Sequence, residues 1–164
     1  MQKSFYDRLS RPFEEDERKK KRLTAANSVI TKAFYIAYPV LLFLLVLTRD
    51  GRFLRVLLVP LISFLIVTIF RKTCNTRRPY EVWEAPPLIQ KGTNGNSFPS
   101  RHVFSVFMIA MATAYICLPA AIIMMTAGVF LAAARVLIRV HFVRDVVAGA
   151  LIGVGLGLLG FWVL

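Results

Sequence analysis

From Val103 to Ala134 the chain carries no charged residue, a run of 32 positions. As one α-helix at 1.5 Å per residue it would be about 48 Å long, well beyond a bilayer core of about 30 Å. Two helices must share the run. The reversal falls at Cys117–Pro119, where Pro119 has no N–H with which to extend a preceding helix. Further apolar stretches lie at about Asn27–Thr48, Phe53–Phe70 and Val146–Leu164, and the first two are joined by the short link RDGR. Of 164 residues 57% are hydrophobic, and the charges are gathered in blocks rather than spread at helical spacing, which is the composition of a membrane protein. The expected fold is all-α: a polytopic membrane bundle of about five transmembrane helices, a number set by a span length of about 20 residues.

The organisation expected is a charged, interfacial amino-terminal helix over residues 1–26 and a single transmembrane bundle over 27–164. Glu14, Glu15, Asp16 and Glu17 precede Arg18, Lys19, Lys20, Lys21 and Arg22, so acids stand four residues before bases along one short helix. That spacing favours surface ion pairs. The charged start lacks the early apolar core of a cleavable signal. A net charge of +12 placed at the ends of apolar segments points to anionic headgroups and phosphates, not nucleic acid. Cys74 and Cys117 occupy different settings, and no bridge between them is expected. Gly149, Gly153 and Gly157 form a small-residue stripe suited to close helix packing, within the bundle or, alternatively, in a homo-oligomer.

Five spans place three polar segments on one face: RKTCNTRRPY, NSFPSRH and ARVLIRVHFVRD. They bring Arg71, Lys72, Arg77, Arg78, Arg101, Arg135, Arg139 and Arg144 together with Asp145 and both histidines, His102 and His141. Ionisable residues at membrane depth are functional candidates by default. His141 and Asp145 are four apart, and on a helix the carboxylate could orient the imidazole and leave its other nitrogen a better base or nucleophile. A structural hydrogen bond, a metal pair completed by His102, and plain helix-end polarity are the competing readings. The surrounding cations would repel a divalent metal and attract an anion, so no metal or other cofactor is expected. Arginine forks match phosphate oxygens, and Ser100 with the amides that start the next helix could add donors.

Three motifs in order make the chain similar to the type 2 phosphatidic acid phosphatase (PAP2) superfamily of membrane lipid phosphatases, over roughly residues 53–164. They are RKTCNTRRP from Arg71 to Pro79, PSRH from Pro99 to His102, and ARVLIRVHFVRD from Ala134 to Asp145. The resemblance implies that His141 is the nucleophile, that Asp145 orients it, and that His102 is general acid and then base. Arg78, Arg135 and Ser100 would hold phosphate, joined by Arg71 or Lys72. Three positions depart from the family pattern: Arg71 stands for lysine, Arg101 for glycine and Ala134 for serine. Arg101 is thus a candidate further contact to phosphate or headgroup. The implied activity is hydrolysis of a lipid phosphomonoester or diphosphate, such as a polyprenyl diphosphate, phosphatidic acid or phosphatidylglycerophosphate, by a multi-pass protein of the cell membrane. Transfer of the phosphoryl group to another acceptor, or non-enzymatic binding of anionic lipid, are the alternatives. In a five-span chain the amino terminus shares the face of the site.

Overall fold

A computed structural model of the protein describes residues 3–83, 86–89 and 94–164. Helix α1 spans Lys3–Glu14, α2 Glu17–Leu47, α3 Phe53–Cys74, the single turn α4 Pro79–Val82, α5 Arg101–Ala114, α6 Leu118–Leu137 and α7 Val143–Leu158, which continues as a π-helical turn over Leu159–Val163. Four of these, α2, α3, α6 and α7 with its π-helical end, are long and apolar enough to cross a membrane. The reversal between α5 and α6 falls at Tyr115–Cys117, as the sequence requires. The helix expected as another span, α5, has 14 residues, about 21 Å. It does not need to meet lipid: its residues from Val106 to Thr113 are all buried, and α2, α3, α6 and α7 pack around it.

The glycine stripe explains how α7 reaches α5. A Cβ at Gly149 would lie 2.7 Å from Ser100 O, at Gly153 2.8 Å from Phe104 O, and at Gly157 2.6 Å from Met111 Cβ. Real Cβ atoms do not approach so closely, so only glycine lets the two backbones touch. All three glycines are buried by α5, and the stripe is not a surface open to a second copy. The stripe is therefore used for packing within the bundle, the first of the two uses its sequence suggests.

Prolines within the spans leave carbonyls without their helical partner. Pro60 cannot bond Val56 O, and the Tyr38 hydroxyl of α2 donates to that oxygen instead at 3.0 Å. At the end away from the site, Arg52 bonds the Asp50 carboxylate at 2.7 Å and Tyr115 O at 3.2 Å, tying the α2–α3 turn to the α5–α6 turn. The side-chain and backbone hydrogen bonds from Arg52 hold the Asp50 carboxyl down to about 2.

The charged amino-terminal block is not one helix. Helix α1 ends at Glu14, and Asp16 caps α2 by accepting from Arg18 N at 2.8 Å and Lys19 N at 3.2 Å. Arg18–Arg22 therefore form the first turns of α2, a helix continuous through residues 26 and 27.

We expect Gly153→Ala to lower stability by about 1–3 kcal/mol through overpacking against Phe104 O. Gly155, with nothing within 4 Å of its virtual Cβ, is the control, and Gly155→Ala should not lower it. Thermal unfolding of the two variants in detergent compares them directly.

Candidate active site

Helix α3 ends in a basic turn, Arg71 and Lys72, and is closed by Asn75 in the left-handed conformation at φ 38°. Glycine or asparagine is the usual choice there. Beyond it, Arg78 starts α4, with its amide donating to Glu81 Oε2 at 2.8 Å. The same carboxylate accepts from Gly95 N at 2.9 Å, while Arg78 Nε donates to Gly95 O at 2.9 Å. Gly95 has φ +67°, and a Cβ there would lie 2.3 Å from Asn75 Oδ1. Thr76 completes the clamp: its carbonyl accepts from Ser97 N at 2.9 Å and its hydroxyl from Phe98 N at 2.8 Å.

Arg71 is buried and donates to the carbonyls of Pro99 and Asn96. Two of its guanidinium nitrogens thus hold the loop. A lysine ammonium in its place would be a point charge without the planar fork. Lys72 and Arg101 are exposed, and the Arg101 guanidinium lies 5.8 Å from the ring centre of Phe64. Together Arg71, Lys72, Arg78 and Arg101 line a cavity of about 180 Å³ beside the loop 94–96. Four cations around one small cavity define an anion site electrostatically.

The third segment folds back on itself after α6. Arg135 O accepts from Val140 N at 3.2 Å and His141 N at 3.3 Å, and Arg139 adopts φ 58° to make the reversal. His141 consequently precedes α7 instead of sharing a helical face with Asp145. The contact the sequence spacing suggests is still made, by a different route. Asp145, in the first turn of α7, accepts from Phe142 N at 3.0 Å, and its Oδ2 lies 3.6 Å from His141 Nδ1. Ser97 bridges the two: its Oγ donates to Asp145 Oδ2 at 2.5 Å and stands 3.4 Å from His141 Nδ1. His141 and Asp145 are almost fully buried.

Ser100 caps α5 and is fully buried; its amide donates to Asp145 O at 2.8 Å, which joins the second motif to the third. Among the described residues Ser100 Oγ, Arg78 Nη1 and Arg135 Nε have no hydrogen-bond partner. Those polar atoms are buried within the three motif segments named above, where an incoming phosphate oxygen could satisfy them. His102 lies in the first turn of α5 and is partly buried. Among the described residues no three His, Cys, Asp or Glu side chains gather as metal ligands.

Arg139 does not join this cluster. Its guanidinium pairs with Glu14 and, at 3.1 Å, with Asp7 of α1. Helix α1 holds the same loop at two more points, with Ser10 Oγ donating to Leu137 O at 2.9 Å and Val143 N donating to Tyr6 Oη at 3.0 Å. Ser97, Glu81, Thr76 and α1 are the supports that sequence reasoning missed. Glu81 alone left a signal, an acid three residues after Arg78 at the start of a Pro-initiated turn.

A family model, the PAP2 superfamily, matches residues 52–164. The chain belongs to the PAP2 superfamily. It is accordingly a membrane phosphatase, a hydrolase of phosphoric esters, in which all three motifs fall inside the matched region. Solved structures share the fold, among them the following two. The crystal structure of Aquifex aeolicus LpxE aligns with a TM-score of 0.75 at 22% identity, covering 96% of this chain and 92% of that one. A transmembrane PAP2-type phosphatidylglycerolphosphate phosphatase from Bacillus subtilis aligns with a TM-score of 0.72 at 21% identity, covering 96% and 83%. No curated protein is significantly similar in sequence.

Ser97→Ala removes one donor from the buried Asp145 carboxylate while leaving the Phe142 amide in place. We expect kcat for phosphate release to fall about tenfold, with a stability loss of about 1–3 kcal/mol. Steady-state kinetics and thermal unfolding on the same preparation read both.

Proposed function

We propose that this PAP2 phosphatase removes phosphate from a membrane lipid through a covalent phosphohistidine on His141. The observation that carries the reading is the buried His141–Ser97–Asp145 contact set beside guanidinium groups that have donors to spare. Asp145 and Ser97 orient the imidazole by its Nδ1 side, which leaves the Nε2 lone pair for attack on phosphorus. As the N–P bond forms, the bond from phosphorus to the lipid oxygen breaks, and protonated His102 gives its proton to that oxygen. Neutral His102 then takes a proton from water as the water oxygen attacks phosphorus. The N–P bond breaks, its electron pair returns to Nε2, and inorganic phosphate leaves.

Arg78, Arg135, Ser100 and the first-turn amides of α5 hold the phosphate oxygens in this scheme, and their fixed positive field stabilises the charge that gathers on them. Arg71 contributes charge and keeps the Asn96–Pro99 carbonyls in place. Lys72 and Arg101, at the exposed side of the cationic cavity, meet the phosphate on its way in.

With a labelled lipid phosphate, wild-type protein is expected to release inorganic phosphate, also in the presence of a chelator. His141→Ala should reduce release to background and abolish an acid-labile phosphoenzyme. His102→Ala should lower kcat about 10²–10⁴-fold. A folded His141→Ala protein that still turned over would end the proposal, and label appearing on a second lipid instead of as free phosphate would replace hydrolysis by transfer.

A further inference from the structure

The loop that carries His141 is held by α1 at both ends and in the middle. Ser10 Oγ donates to Leu137 O at 2.9 Å, before His141, and Tyr6 Oη accepts from Val143 N at 3.0 Å, after it. Between those points the Arg139 guanidinium donates to both carboxylate oxygens of Glu14 and, at 3.1 Å, to Asp7. The Tyr6 ring also packs on Phe142 and Trp83, at 5.9 Å and 4.9 Å between ring centres. Trp83 closes α4, the turn that Arg78 starts, so α1 joins the first motif segment to the third. Helix α1 itself lies wholly before residues 52–164, the stretch that the family model matches.

These contacts bear on the orientation of His141. Arg139 stands at φ 58°, a conformation that residues with a side chain rarely adopt, and its ion pairs to α1 hold it there. His141 Nδ1 lies 3.6 Å from Asp145 Oδ2 and 3.4 Å from Ser97 Oγ, beyond the usual hydrogen-bond range of about 2.7–3.2 Å. Contacts of that length restrain a ring loosely, so the placing of its backbone decides where Nε2 points. The cations of the anion cavity are held by other means: Arg71 by the carbonyls of Pro99 and Asn96, and Arg78 by Gly95 O. A loop released from α1 would misplace the nucleophile and leave those two arginines where they are.

We propose that α1 is a strap that positions His141 for attack on phosphorus, with Arg139 as its positioning residue. The ion pairs from Arg139 to Glu14 and Asp7, with the Tyr6 and Ser10 bonds on either side, set the rate of phosphoryl transfer to His141 and not the binding of phosphate. The inference rests on the reading of His141 as nucleophile above.

The test uses purified full-length protein and whichever of phosphatidic acid, phosphatidylglycerophosphate and a polyprenyl diphosphate the wild type hydrolyses fastest. Arg139→Gln should lower kcat, and the rate at which label enters the phosphoenzyme, about 10–100-fold, with KM little changed. Arg139→Lys, which keeps the charge but not the fork, should recover part of the loss. Glu14→Gln should lower kcat in the same direction, and the double variant Arg139→Gln, Glu14→Gln should be no slower than Arg139→Gln alone, because both remove one contact. Tyr6→Phe, which keeps the ring and loses the bond to Val143 N, should lower kcat about threefold. Arg11→Gln is the control: it breaks an exposed pair with Glu15 on the same helix and should keep the wild-type kcat. Glu14→Gln and Tyr6→Phe decide the matter if Arg139→Gln folds poorly. Folded variants with wild-type kcat, a loss carried by KM, or a loss that only tracks the folded fraction in thermal unfolding would each overturn the strap and leave the phosphohistidine reading intact. A wild type that releases phosphate from none of the three lipids, or forms no phosphoenzyme, would overturn both.

Discussion

The contact on which the site depends is the backbone-to-backbone approach of α5 and α7. Glycines at 149, 153 and 157 allow it, and its first consequence is the hydrogen bond from Ser100 N to Asp145 O at 2.8 Å. That bond sets the second motif against the third. Asp145 is then close enough to Ser97 to accept a hydrogen bond from its hydroxyl, and Ser97 in turn stands beside His141. A bulkier α7 would separate these groups although every site residue remained in the sequence. In lipid there is no hydrophobic force between helices, so close packing and polar contacts of this kind must supply the cohesion.

The second constraint is the cost of keeping so many cations at a membrane edge. The structure meets it unevenly. Arg71 and Arg78 are satisfied in part by loop carbonyls, and Arg139 by the acids of α1. These contacts serve the architecture as well as the charge, since each ties down a loop that carries a motif. Arg135, Ser100 and part of Arg78 are left with unmet polar atoms. Arg139 Nε is also without a partner among the described residues, but the rest of its guanidinium is committed to Glu14 and Asp7.

Much of this was legible beforehand, because a membrane restricts what a chain can do. The uncharged run 103–134 demanded a reversal, and it occurs beside Pro119. The motif spacing marked His102, His141, Asp145 and the arginines as candidates, since those residue types in that order suit phosphate chemistry, and the structure brings His141 to Asp145 and lines one cavity with Arg71, Lys72, Arg78 and Arg101. Two readings failed for physical reasons. The His141–Asp145 spacing suggested a shared helical face, but Arg139 at φ 58° breaks the chain before α7 and Ser97 mediates the contact. The charged amino-terminal block read as one helix, but Asp16 starts a new helix and Glu14 reaches 125 residues along the chain to Arg139, while the expected surface pairs do form at Lys19–Asp16 and Lys20–Glu17. The glycine stripe, by contrast, packs within the bundle as its spacing suggests, with α5 covering it.

What the sequence by itself determined is the set of spans, their reversal points and the chemistry of the three polar segments, because apolar length and residue type act locally and need no partner. Only the tertiary structure decided which donors are spent and which remain available, and that α1 straps the His141 loop. Those outcomes depend on which groups lie within about 3 Å of each other across helices distant in sequence, the range over which hydrogen bonds form.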